Sequence, residues 1–422
     1  MMAALALTFA ACSNDDSDIL SPVETQPAET VGIPFSATIS VGENSSLRAL
    51  TESGTTIEAT WAVGEKVALI HNGVNDKMEV KSVDGGVATI SGTITDSPSD
   101  GDGVTIIYPA TAADGATGNV KADVLAAQDG TLTGTGDTSI AEKYDVRIGT
   151  GTLKVDGTAS LNGNVSLANQ NAIFKLTLKD IDAINDVSAA SVKIYDQTNT
   201  LLTTVTPASG YEKVMYVALP TTATTLKFAV SDGTTNYFNM ASGLSLASKY
   251  YQSTIKLATV GDVIMSSGKC AKAGTTGAVA MIAYLGNASD CTNGLAIQLN
   301  SSPEYKTWSE AKTYAQGLSS VPGGTWRLPS KADWQNMFLG CAKSGDASAS
   351  DLMKPIAGFK EKIAATGIST GISGPSHVYW SSTAGVLEAW CVHVDLEGTY
   401  AVAEFSKDDM PNDEHVLGCL AF

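Results

Sequence analysis

Arginine is nearly absent from this chain. Only Arg48, Arg147 and Arg327 occur among 422 residues, so the 26 basic side chains are almost all lysine and an arginine-specific protease would find few targets. Positive charge is scarce as a whole. Against 44 acidic residues the net charge is −18, which excludes a polyanion as partner, so no nucleic acid and no acidic membrane surface is expected. Cysteine is missing from the middle: Cys12 stands alone, and the other five fall after residue 269. The middle must therefore fold without disulfides, and the odd late group leaves at least one thiol free or paired outside the chain. The apolar stretch Ala3 to Ala11 is too short to span a bilayer. The length suits two to three domains, because single cores rarely grow past about 250 to 300 residues.

Phe9-Ala10-Ala11-Cys12 closes that apolar stretch, and small residues before a cysteine resemble a bacterial lipoprotein signal. The resemblance implies cleavage before Cys12, lipid on Cys12 and an outer-membrane anchor; it departs from the pattern in having no basic residue at the front. Residues 1–12 are thus the signal with its lipid cysteine. Residues 13–31 read as an acidic, flexible tether rich in Pro, Glu and Thr. Its Asp15, Asp16 and Asp18 cluster is similar to the surface-export signal of lipoproteins from anaerobic Gram-negative bacteria.

From Ile33 the pattern is short alternating runs: Phe35 to Ser40, Lys66 to His71, Met78 to Val83, Val87 to Thr93 and Val104 to Tyr108. Asn72-Gly73 and Asp84-Gly85-Gly86 separate them as turns, at the spacing of an all-β sandwich. Ala110 to Thr158 has weak periodicity and predicts long loops with short strands. A second β segment starts near Leu167 and continues through Ala172 to Leu178, Val192 to Tyr195, Val214 to Leu219, Leu226 to Val230, Tyr237 to Met240 and Tyr250 to Leu257. Lys175, Lys193, Lys227 and Lys256 are expected at its edges, where lysine discourages pairing with other chains.

Leu47-Arg48-Ala49, then Trp61-Ala62-Val63-Gly64-Glu65-Lys66-Val67-Ala68-Leu69, resembles the fimbrillin family, in which an Arg-Ala junction precedes a Trp, an acidic Gly turn and an apolar strand. Leu244 to Tyr250, leading into a last strand, is similar too. The resemblance covers about residues 12 to 258. It implies two tandem transthyretin-like β-sandwich pilin domains, here 32–165 and 166–260. It also implies cleavage between Arg48 and Ala49 by an arginine-specific protease, loss of the strand Ile33 to Ser40, and refilling of its groove by a neighbouring pilus subunit.

Asp262 to Phe422 is different text, with five of the six tryptophans. Thr307 and Glu310 form a capping-box pair ahead of a helix with Trp308, Ala311, Tyr314, Ala315 and Leu318 on one face. Gly323-Gly324 bends the chain, Pro329 excludes helix before it, and Ser330 with Asp333 caps a second helix carrying Trp334, Met337, Phe338 and Cys341. A third helix is expected within Leu352 to Ala365. Strands follow at Val378 to Ser382, Ala389 to Leu396, Ala401 to Phe405 and Val416 to Ala421. Thr325-Trp326-Arg327-Leu328-Pro329, Tyr379-Trp380-Ser381-Ser382-Thr383 and Leu420-Ala421-Phe422 together resemble bacterial domains of the C-type-lectin-like fold. That resemblance implies an α+β head over 261–422, and a chain that is mainly β overall.

Fold likeness supplies no activity. No reactive cysteine pair of the formylglycine-enzyme kind is present, nor the Glu-Pro-Asn or Trp-Asn-Asp segments of calcium-dependent lectins, and no paired acid and base, so neither enzyme nor cofactor is expected. Asp408, Asp409, Asn412, Asp413 and Glu414 form an oxygen-rich run that could hold calcium but reads first as a solvated loop. Cys391 and Cys419, each near a histidine (His393, His415), read first as a disulfide or two buried thiols and second as a zinc set. Trp326, Trp380 and Arg327 read as scaffold, and Trp390 and Tyr400 as candidate ligand contacts. The expectation is a surface pilus subunit and tip adhesin whose head takes a glycan or a host or bacterial surface protein. The competing expectation is a permanently lipid-anchored capture protein that does not polymerise.

Overall fold

A computed structural model describes residues 32–41, 51–53, 56–58, 61–115, 118–133, 139–286, 294–300, 306–343, 354–355, 357–368, 377–385, 388–394, 399–406 and 416–422. Cys12, the Arg48–Ala49 junction, His415 and the run Asp408 to Glu414 lie outside the described residues.

Alternation builds the first sheet. In β1 (Ile33–Val41), Phe35 and Ile39 point inward and are buried, while Pro34, Ser36 and Thr38 face out. A small hairpin follows, β2 (Thr51–Ser53) with β3 (Thr56–Glu58), and then β4 (Lys66–His71), β5 (Val74–Asp84), β6 (Val87–Ile94) and β7 (Gly103–Tyr108). The Asn72-Gly73 and Gly85-Gly86 turns take positive φ at both residues, the geometry that matches the twist of a two-residue hairpin. After β8 (Ala127–Gln128) come β9 (Arg147–Asp156), β10 (Thr158–Leu161) and β11 (Val165–Asn169). The order is β10-β1-β11-β9-β7-β4-β5-β6, and a further β1–β6 pairing closes the sheet on itself. Its core gathers Phe35, Ile39, Trp61, Leu69, Met78, Ile90, Ile106 and Leu167.

The long loops expected over Ala110 to Thr158 are in part a ten-residue strand, β9. Gly149 and Gly151 hide its alternation. A Cβ on Gly149 would lie 2.6 Å from Leu167 Cδ2, and one on Gly151 2.7 Å from Val165 Cγ2, so neighbouring side chains fill the inward positions that the glycines leave empty.

The second unit consists of β12 (Asn171–Asp180), β13 (Ser191–Tyr195), β14 (Leu201–Val205), β15 (Val214–Pro220), β16 (Thr225–Ser231), β17 (Asn236–Ser242) and β18 (Tyr250–Leu257). They form two sheets, β15-β12-β18 and β17-β16-β13-β14-β8, around Phe174, Leu176, Val192, Ile194, Val217 and Phe228. The division expected at 165–166 falls inside β11, and β8 crosses over to pair with β14. Three of the four lysines expected at edges lie on inner strands: Lys175 on β12, Lys193 on β13 and Lys227 on β16. Period-2 alternation tells which face a side chain takes but not where its strand sits in the sheet.

Beyond residue 260 come β19 (Val263–Met265), β20 (Cys270–Ala271), β21 (Ala278–Tyr284), β22 (Leu295–Gln298), α1 (Trp308–Gln316), β23 (Thr325–Arg327), α2 (Lys331–Cys341), β24 (Lys354–Pro355), α3 (Ala357–Ala365), β25 (His377–Ala384), β26 (Glu388–Val394), β27 (Thr399–Ser406) and β28 (Cys419–Ala421). One sheet runs β20-β19-β21-β22-β28-β23 and a second β24-β27-β26-β25. Trp334, Met337, Phe338, Cys341, Phe359 and Tyr379 pack between them. The chain crosses residue 260 without a gap in packing. Phe238, Met240 and Ala258 share a core with Ile282, Trp326, Leu420 and Phe422, and the Phe238 and Phe422 rings lie 4.3 Å apart. The protein is mainly β, and among the described residues no helix is long and apolar enough to cross a membrane.

Candidate functional site

Strand β1 precedes Arg48 and is held on both edges. Antiparallel pairing with β6 runs from Ile33↔Ile94 to Ser40↔Val87. On the other side β1 runs parallel to β10 at Phe35↔Ala159 and to β11 at Ile39↔Val165, Ser40↔Ser166 and Val41↔Leu167. Removing β1 would leave two rows of unpaired backbone groups facing each other, over the pockets of Phe35 and Ile39. Each of those side chains contributes about 1.5–3 kcal/mol by burial, so an empty seat would favour any strand with apolar residues at the same alternate positions.

Hairpin β2–β3 lies between the Arg48–Ala49 junction and Trp61, which is back in the core of the first sheet. Its Glu52 reaches the second unit. Lys175 Nζ donates to both carboxylate oxygens at 2.8 and 2.6 Å, Tyr216 Oη donates at 2.8 Å, and Tyr250 Oη and Gln252 Nε2 each donate at 3.0 Å. The bond from Lys175, joined by those from the two phenols, holds the Glu52 carboxyl below the usual carboxylate range despite partial burial. Burial first, then the hydrogen bond to Glu52 and its negative charge, push both phenols up. Nothing in the sequence marks Glu52, which stands as one acidic residue in a Thr/Ser run.

Beyond residue 260, the two motifs that carried the lectin-like resemblance meet. Ser382 N donates to Pro329 O at 2.8 Å, and Lys331 N donates to Thr383 Oγ1 at 3.0 Å. Trp326 and Trp380 are buried, their indole N–H groups bonded to Ser319 O and Lys306 O at 2.9 and 2.7 Å. Arg327 grips Asp333 through both terminal nitrogens, and Asp333 also accepts from Ser330 N and Oγ at 2.6 and 2.7 Å, completing the expected cap of α2. Burial pushes the Asp333 carboxyl up, but the bonds from Arg327 and Ser330 outweigh it and leave its pKa lowered. A cavity of about 360 Å³ opens beside this pair, lined by Asn199, Thr325, Arg327, Asp333, Asn336 and Phe422 among others.

Of the expected ligand contacts, Asp408, Asp409, Asn412, Asp413 and Glu414 lie outside the described residues. Trp390 is half-buried against the core around Trp334 and Phe338, with Lys331 Nζ 3.4 Å from its ring centroid, so a lysine occupies one face. Tyr400 lies on β27, paired in register with Lys354 and Val394. Cys391 and Cys419 are buried in separate core clusters and are not bonded to each other. Burial pushes Cys419 up to about 12. No group of three metal-ligating side chains occurs among the described residues.

No protein-family model matches the chain, and no curated protein matches it in sequence. Among solved structures it is similar to a fimbrial protein from Bacteroides ovatus, at 12% identity over 93% of this chain and 99% of that one, with a TM-score of 0.31. It is also similar to a shaft pilin from Lactobacillus rhamnosus GG, at 10% identity over 54% of this chain and 98% of that one, with a TM-score of 0.24. At these scores neither likeness bears on what the chain does.

Proposed function

We propose that this chain is a cell-surface pilus subunit, non-enzymatic, cut between Arg48 and Ala49 and assembled by strand donation, with residues 261–422 as a C-type-lectin-like adhesive head. The observation that carries the reading is the seat of β1. The strand upstream of Arg48 closes the sheet between β6 on one edge and β10 and β11 on the other, so its loss would leave a groove with two pairing edges. Scarcity of arginine supports selective maturation: Arg147 is buried in an ion pair with Asp145 and Arg327 is bound to Asp333. A place at the pilus tip is supported by β28, which is enclosed between β22 and β23 and so is not available as a donor strand.

Anchorage at the outer membrane through lipid on Cys12 precedes the cut in this reading. The runner-up is permanent anchorage without polymerisation; the complete pairing of β1 favours it, since the intact sheet needs no partner. Mass spectrometry of the mature N-terminus separates the two. A start at Ala49 supports assembly, whereas lipidated Cys12 on every copy rejects it. Immunogold label spread along whole fibres would reject the tip position.

A further inference from the structure

We infer that docking of Glu52 on the seat formed by Lys175, Tyr216, Tyr250 and Gln252 of the second unit restrains the chain beyond Arg48 and slows cutting there by an arginine-specific protease. Register places the seat. Lys175 is paired across the strands with both Tyr216 and Gln252, so the three make one row over β15, β12 and β18 on one face, and Tyr250 stands two positions along β18 on the same side. That face turns away from the sandwich core, because the alternate residues Phe174, Leu176 and Val217 are the ones inside it. Part of the same face is covered by Leu132, Ile140 and Tyr144 packed on Ile173 and Tyr216. Glu52 takes the polar part. Four donors from three strands converge on one carboxylate, an arrangement that a loop resting by chance on a sheet would not produce, and the lysine supplies charge while the two phenols and the amide fix direction.

The seat restrains the chain where cutting is proposed. Glu52 is the fourth residue after Arg48, so its bonds tie the chain to the second sheet four positions beyond the proposed scissile bond, while β1 on the other side is paired in the first sheet. A protease needs several residues released into its cleft, and when opening is fast its rate follows the population of the released form. Docking of Glu52 therefore slows cleavage after Arg48. The consequence for maturation rests on the proposed cut; the docking does not.

The test uses the purified full chain and an arginine-specific endoprotease, with the cut after Arg48 identified by fragment mass. Glu52→Gln and Lys175→Met are each expected to be cut about tenfold faster than the wild type at pH 7, with an unchanged far-UV circular dichroism spectrum and a single cooperative melt to show that the fold is intact. Rates within twofold of wild type for both variants, or slower cutting, would overturn the inference. If copies from cells carry only lipidated Cys12, the maturation reading fails while the rate difference in vitro remains, so the two failures are distinguishable.

Discussion

Asp333 shows what one residue does in the region beyond residue 260. Its carboxylate joins the Arg327 guanidinium, the Ser330 hydroxyl and the first turn of α2, so three local structures depend on one negative charge. Because its pKa is lowered in the folded chain, the stabilisation is present above the usual carboxylate range and is lost as pH falls through the lowered value. Asp333→Asn should cost about 1–3 kcal/mol at pH 7, read as a lower melting temperature, and the gap to wild type should shrink as pH is taken towards about 3. A gap that stays constant with pH would show that the charge is not what matters. The cap from Ser330 to Asp333 was legible in the sequence because its members are three positions apart. The seat of Glu52 was not, because its donors stand 123 to 200 positions away and nothing local marks them.

Among the elements, α2 and the alternating strands were legible and β9 was not. Trp334, Met337, Phe338 and Cys341 recur at helical spacing and all are buried, so the sequence pattern and the core face coincide. Trp334→Ala should lower stability by about 3–5 kcal/mol, measured by denaturant unfolding. In β9 the glycines that hide the pattern are needed for the approach of β11. Gly149→Val would place a side chain against Leu167 and Ser166 O, 2.6 and 2.8 Å from the new Cβ, and should cost about 1–3 kcal/mol. Thr150→Val beside it, on the exposed face, should stay within about 0.5 kcal/mol. Equal losses at the two positions would show that the close approach is not the constraint.

At the scale of the molecule, closure of the first sheet by β1 makes its own prediction. A chain beginning at Ala49 should melt on the order of 10 °C lower than the full chain. A synthetic peptide of Ile33–Val41 should restore most of that loss, while the same peptide with Phe35→Asp and Ile39→Asp should not. Failure of the native peptide to restore stability would argue against strand exchange at this seat. The second unit and the region beyond residue 260 meet over Phe238, Met240, Trp326 and Phe422, so loss of β1 should leave that shared core intact.

The sequence by itself determined the mainly β character, the turns at Asn72-Gly73 and Gly85-Gly86, and the caps and apolar faces of α1 and α2, since each depends on residues within a few positions of one another. Tertiary structure decided the rest. It set which strands are inner, placing Lys175, Lys193 and Lys227 where edges were expected, and it closed the first sheet through β1 and β6. It left Cys391 and Cys419 as separate thiols and brought Glu52 to Lys175. These outcomes depend on pairing between segments far apart in the chain, and no local periodicity encodes such pairing.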